Sequence, residues 1–150
     1  MKVKAKKNNK EPLSRSQLRR QREREYRYQT ILKSAEKLFA EEGYHRTSME
    51  RIADSAEVSV GTVYFYFKNK EDLLVSLIEE IGYQLRNLLG TEFQSADGSM
   101  EGFKRAGRIF FEEFCPQHPE KISIFFRESA GQSLYVEERR KRIFDKLIND

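Results

Sequence analysis

This sequence has little of what catalysis, secretion or membrane insertion requires. It holds one cysteine, Cys115, so no disulfide can close within the chain and nothing calls for an oxidising compartment. Two histidines, His45 and His118, lie far apart with no paired cysteine or acidic ligand set, which argues against a structural zinc site. Tryptophan is absent, and no apolar run approaches the ~20 residues that a bilayer span needs. The N-terminus is basic but lacks the apolar stretch of a signal peptide, so the sequence reads as cytoplasmic with no membrane partner. No nucleophile has a neighbouring base, and no glycine-rich loop is placed to cradle phosphate. No catalytic residue, cofactor or metal is therefore expected, and the reading is not that of an enzyme.

What is present is charge, unevenly placed. Residues 1–28 hold 11 Lys or Arg against 3 Glu, a balance of +8, while the remainder hold 17 against 21, a balance of −4; together they give the net +4. A cationic arm on a neutral-to-acidic body attracts polyanions, whether DNA, RNA or an anionic membrane surface. Taken alone, the arm fits a disordered solubilising tail equally well. The other bias is aromatic: eleven Phe and seven Tyr supply much of the material for a core.

The periodicity is helical throughout. Ile31, Leu32, Ala35, Leu38 and Phe39 fall on one face of a helix that Gly43 ends. Thr47-Ser48-Met49-Glu50 has the form of a capping box opening a second, short helix with Ile52, Ala53 and Ala56 on its apolar face. Glu57-Val58-Ser59 interrupts the pattern, and Ser59 is placed to cap a third helix from Val60 to about Phe67. The β-branched and aromatic content of that segment suits a strand as well; the flanking caps favour helix. Asn69 caps a fourth helix whose apolar face runs from Leu73 to Leu89, closed by Gly90, and residues 90–99 read as a loop. Phe103, Ala106, Phe110, Phe111 and Phe114 line a further helix stopped by Pro116, and Pro119 suits the first turn of the next. A last helix, basic at Arg139–Arg142, ends with Ile143, Phe144, Leu147 and Ile148.

The informative block is a capped helix, a three-residue turn and a short helix beginning Val60-Gly61-Thr62. A helix-turn-helix needs a bracing helix and a second helix whose N-terminal residues meet base edges. Gly61 permits close backbone approach, while Thr62, Tyr64 and Tyr66 offer hydroxyls. Val63 and Phe67, four residues apart, face inward. Phe65 is expected in the core with Phe67. Lys70, with the N-terminal end of the fourth helix, is placed to hold a phosphate.

These residues carry a resemblance. Thr47-Ser48-Met49 through Ile52-Ala53, then Val58 through Leu74, looks like the DNA-binding domain of the tetracycline-repressor (TetR) family, and the preceding helix with Gly43 and Tyr44 fits too. The match spans about residues 27–75. The resemblance implies that Thr47 and Ser48 contact phosphate, that Val60, Gly61 and Thr62 enter the major groove, and that Tyr64 and Tyr66 touch backbone or thymine methyls. It also implies that Lys70 binds phosphate. Position 60 departs from the basic or polar residue of many relatives, so contact there is expected to be apolar.

The family further implies an all-α fold with an N-terminal three-helix DNA-binding domain and a helical regulatory domain. It implies a homodimer on double-stranded, palindromic operator DNA, released by a small apolar effector; Phe103, Phe110, Phe111, Phe114 and Phe125 are the candidates to line that pocket. Relatives run on through two further long helices, so the regulatory domain is expected to be incomplete at its C-terminus. The division that follows is a basic disordered arm over 1–24, a helix-turn-helix domain over 25–72 and a ligand-binding and dimerisation domain over 73–150. Competing readings are a helical module that pairs with a full-length relative, and sequence-blind polyanion binding through the arm.

Overall fold

A computed structural model describes residues 14–95 and 99–149. Every regular element among the described residues is helical, as the sequence predicts. They are α1 (Arg15–Glu42), α2 (Met49–Ser55), α3 (Val60–Tyr66), α4 (Lys70–Ser95), α5 (Met100–Arg108), α6 (Cys115–Gln117), α7 (Pro119–Ile122) and α8 (Leu134–Asn149). Two π-helical stretches lie among the distal elements: π1 (Ile109–Phe114) follows α5, and π2 (Ser123–Glu128) follows α7.

The first helix begins earlier than an arm ending at residue 24 allows. Ser14 and Gln17 form a reciprocal capping box, the Ser14 hydroxyl accepting from the Gln17 N–H and the Gln17 side chain accepting from the Ser14 N–H. Arg, Gln and Glu are good helix formers, so a capped run of them winds even without a core beneath it. Residues 1–13 of the expected arm lie outside the described residues.

Further along α1, all five positions selected by periodicity, Ile31 to Phe39, are at most 4% exposed. They pack with Ile52, Ala53, Val63 and Phe67 of the short helices and with Leu73, Leu74, Leu77 and Ile78 of α4 in one continuous core. Fully burying a Leu, Ile or Phe side chain contributes about 1.5–3 kcal/mol, which is what holds two seven-residue helices that would not persist alone.

Two boundary expectations and one burial expectation are corrected. Helix α4 runs through Gly90 to Ser95, so part of the expected 90–99 loop is helix. Packing against α5 and α8 outweighs the roughly 1 kcal/mol that a helical glycine costs relative to alanine. Pro116 does not stop its helix either. The chain stays helical to Gln117 and breaks at His118 (φ −134°, ψ 54°), with Pro119 opening the next turn. The π-turn just before Pro116, in which the Cys115 N–H reaches back to the Phe110 carbonyl, widens the helix where the proline ring would otherwise press on the preceding turn. Third, the buried positions of α5 are Gly102 and Ala106 rather than Phe103 and Ala106.

Candidate nucleic-acid interface

The turn between α2 and α3 sets the geometry of the candidate reading head. The Glu57 N–H bonds to the Asp54 carbonyl at 3.2 Å and the Val58 N–H to the Ala53 carbonyl at 3.0 Å, the paired pattern that closes a helix with one left-handed residue. That residue is Glu57, at φ 55°. Ser59 then caps α3, its hydroxyl accepting from the Thr62 N–H at 3.1 Å and lying 2.8 Å from the Thr62 hydroxyl. The cap of α2 is Ser48, which accepts from the Arg51 N–H at 3.1 Å; the expected box starting at Thr47 is displaced by one residue.

Helix α3 has two sharply different sides. Val63 (0% exposed) and Phe67 (1%), one turn apart, lock it into the core. Away from them, Tyr64 and Phe65 are 49% and 69% exposed, Gly61 is open, and Thr62 is half-buried beside it. Val60, at 38%, sits at the edge of this face. Phe65 is thus not the core residue that the sequence reading made of it. It follows Gly61 by four positions and shares its side, a spacing the sequence does contain. Tyr64 and Tyr66 are two residues apart and diverge; Tyr66 is half-buried against Tyr28, with ring centroids 6.2 Å apart.

Of the residues expected to hold phosphate, Ser48 remains exposed and, as an acceptor in its cap, keeps its own O–H to donate. Thr47 does not. It is 1% exposed, and its hydroxyl donates to the Gly43 carbonyl at 2.9 Å. Lys70 is also committed: its ammonium donates to the carbonyls of Tyr44 (2.8 Å), His45 (3.4 Å) and Thr47 (2.9 Å) and stands 4.4 Å from the Tyr44 ring centroid. Burial pushes its pKa below the usual lysine value. The residue therefore braces the α1–α2 loop. Lys68, exposed at the end of α3, is the lysine left facing solvent there.

That loop is gripped from its other side as well. The Tyr44 N–H donates to the Glu128 carboxylate at 2.8 Å, so π2 of the distal half holds the segment that leads into α2. A half-buried ion pair between Lys121 and Glu36 (2.8 Å) adds a second tie between the halves. The Tyr44 phenol, 5% exposed, is pushed up to about 12, by burial first and by Glu71 second.

Of the five phenylalanines expected to line an effector pocket, Phe110, Phe111 and Phe114 are in ring contact and Phe126 links Phe110 to Phe125, while Phe103 stands apart. Phe114 (8% exposed) and Phe125 (1%) belong to the core, Phe110 stacks on Phe114 at 6.3 Å, and Phe103 and Phe111 are 67% and 70% exposed. Because Gly102 and Ala106 turn inward on α5, Phe103 turns out. An open cleft of about 400 Å³ in this half lies instead between α4 and α8, over Gly82, Tyr83, Ile143 and Leu147, with Glu79 and Arg139 on its rim. There α8 comes so close that a Cβ on Gly82 would collide with Ile143.

Two cationic groups beside the exposed side of α3 come from α1. Arg24 and Arg27 form one wall of an open groove whose other wall includes Gly61, Thr62, Phe65 and Tyr66, and the Arg24 guanidinium stands 5.8 Å from the Phe65 ring centroid. Neither arginine was among the residues that the sequence singled out.

Comparison with known proteins places this geometry. Residues 31–77 match the family described as bacterial regulatory proteins, tetR family. The fatty acid metabolism regulator protein of Bacillus subtilis is 48% identical over 54 residues, covering 36% of this chain and 28% of that protein. The HTH-type transcriptional repressor NicS of Pseudomonas putida is 30% identical over 106 residues, 71% of this chain and 50% of the other. Among solved structures, the fatty acid degradation regulator FadR from Bacillus halodurans superposes with a TM-score of 0.69 at 27% identity, over 82% of this chain and 63% of that one. The chain thus spans between about a quarter and a half of these two curated relatives. Helices α2 and α3 and the turn between them fall inside the matched span, and residues 31–77 belong to the tetR family of bacterial regulatory proteins.

Proposed function

We propose that this chain is a sequence-specific DNA-binding transcriptional regulator that acts as a ligand-responsive repressor. The observation that carries the reading is the two-sided α3. Val63 and Phe67 fix the helix in the core, leaving Gly61, Tyr64 and Phe65 exposed and Thr62 half-buried beside them. A rigid helix presenting a small backbone-approach residue, a hydroxyl and aromatic rings suits the major groove, where thymine methyls and base edges are read. In this reading the protein works in the cytoplasm as a homodimer on a palindromic operator, and no catalytic step is involved. A small apolar effector acts through the distal helices. The aromatic surplus there supports this, as does the similarity over that region to a regulator of fatty acid degradation.

The test is selection of duplexes from a random pool, followed by binding of the selected and a scrambled sequence. Thr62→Ala should cost about 1–3 kcal/mol on the selected duplex and little on the scrambled one. Equal losses on both would remove base reading from α3. Light scattering of the complex on a palindromic duplex should give two chains per duplex; a single chain would count against the dimer.

A further inference from the structure

The N-terminal part of α1 has no core to pack on. From Arg15 to Arg27 every residue is exposed, so about 20 Å of helix carries no buried side chain, and its last turn flanks α3. Its sequence contains six arginines against two glutamates. Arg20, Arg24 and Arg27 recur at the three-and-four spacing and extend the same side of the helix that carries Ile31 and Leu38 lower down. From Ile31 on, that side is buried in the core; from Arg20 to Arg27 it is an arginine stripe. Both glutamates are occupied, Glu23 with Arg19 at 2.9 Å and Glu25 with Gln29 at 3.1 Å. Among the described residues, Arg20, Arg24 and Arg27 have no ion-pair partner.

We propose that Arg20, Arg24 and Arg27 form a second, rigid DNA contact, a stripe that neutralises the phosphates bordering the groove entered by α3. The inference rests on the DNA-binding reading above and adds the element that supplies its sequence-independent part. Two observations place the stripe next to α3 rather than elsewhere on the molecule. Arg24 and Arg27 share a groove with Gly61 and Thr62, and Arg24 stands over Phe65, so a duplex meeting that side of α3 brings its backbone to these guanidiniums. Arginine suits the role because its planar fork matches phosphate oxygens. The capped helix holds three of them in fixed register without the ordering entropy that a flexible arm would lose on binding.

The test compares the full chain with the triple variant R20Q/R24Q/R27Q, on the selected and the scrambled duplex, as a function of salt. Each lost phosphate contact should reduce the slope of log K against log salt by about 0.9, so the triple variant should lose between about 2 and 3 units on both duplexes while its sequence preference stays unchanged. Hydroxyl-radical footprints should lose protection on the backbone flanking each half-site and keep it within. The Arg→Lys triple variant should retain the slope, and circular dichroism of both variants should match the parent. A parent slope retained in R20Q/R24Q/R27Q, or a loss confined to the selected sequence, would overturn the stripe and leave α3 reading intact. A parent that binds no duplex at all would overturn the DNA reading itself.

Discussion

The two halves of this molecule use the same amino acids to different ends. Around α2 and α3, large apolar side chains fall into a closed core, and those left outside lie on one side of α3. Across α5, π1 and α8, Met100, Phe103, Phe111 and Leu134 are between 67% and 83% exposed although their neighbours Phe114, Phe125 and Val136 are buried. Both halves show helical periodicity in sequence. What separates them is whether the facing elements complete the burial. An apolar residue is a core residue only where a partner covers it, and its spacing alone cannot report the partner.

The sharpest way to break this comparison is to truncate the same residue type in each half. Phe67→Ala should destabilise the protein by about 3–5 kcal/mol, since it empties a site 1% exposed against Tyr28, whose ring lies 5.1 Å away. Phe111→Ala should stay within about 0.5 kcal/mol of the parent, because the removed ring is already in water. Urea denaturation measures both. A large loss at Phe111 would mean that the distal half is covered in solution and that the two halves do not differ in burial.

How much could be read beforehand follows the same line. The core side of α1 and the inward pair Val63 and Phe67 were legible because closely packed amphipathic helices repeat their pattern over several turns. Ser59 and Asn69 were legible as caps because a cap is a local interaction: the Asn69 side chain accepts from the Asp72 N–H at 2.8 Å, within four residues. Phe65 was misplaced since its neighbours are equally aromatic, and only the angular step of the helix separates 63 and 67 from 65. Arg24 and Arg27 were missed because their relation to α3 joins residues some 35 positions apart. The commitment of Lys70 was hidden for a similar reason: its acceptors are backbone carbonyls, which no side-chain pattern can announce.

Lys70 sharpens the comparison between a DNA ligand and a structural brace. Lys70→Met keeps the aliphatic stem and removes the donors, leaving the Tyr44 and Thr47 carbonyls without their cation. We expect a loss of about 1–3 kcal/mol in stability, the usual cost of stranding partly buried acceptors. The salt slope of DNA binding, measured on the folded variant, should be unchanged. A slope reduced by about one unit with stability intact would instead assign Lys70 to phosphate.

The smallest effect tests the two helix ends that frame the head. At the end of α1 the positive φ of 90° falls on Gly43, which adopts it freely; at the end of α2 the positive φ of 55° falls on Glu57, which does not. A left-handed conformation costs an ordinary L-residue about 1–2 kcal/mol, and among the described residues the Glu57 side chain makes no hydrogen bond or ion pair that offsets it. Glycine relieves the clash but adds freedom to the unfolded chain, so the net gain for Glu57→Gly should be about 0.5–1 kcal/mol. The corresponding rise in Tm is a few degrees, roughly 2–4 °C per kcal/mol for a chain of this size. Because the backbone keeps the same turn, α3 stays where it is and sequence preference for DNA should not move. An unchanged or lowered Tm would show that the Glu57 side chain stabilises the head through contacts worth at least as much as the strain, and would make this turn as well matched to its residue as the one at Gly43.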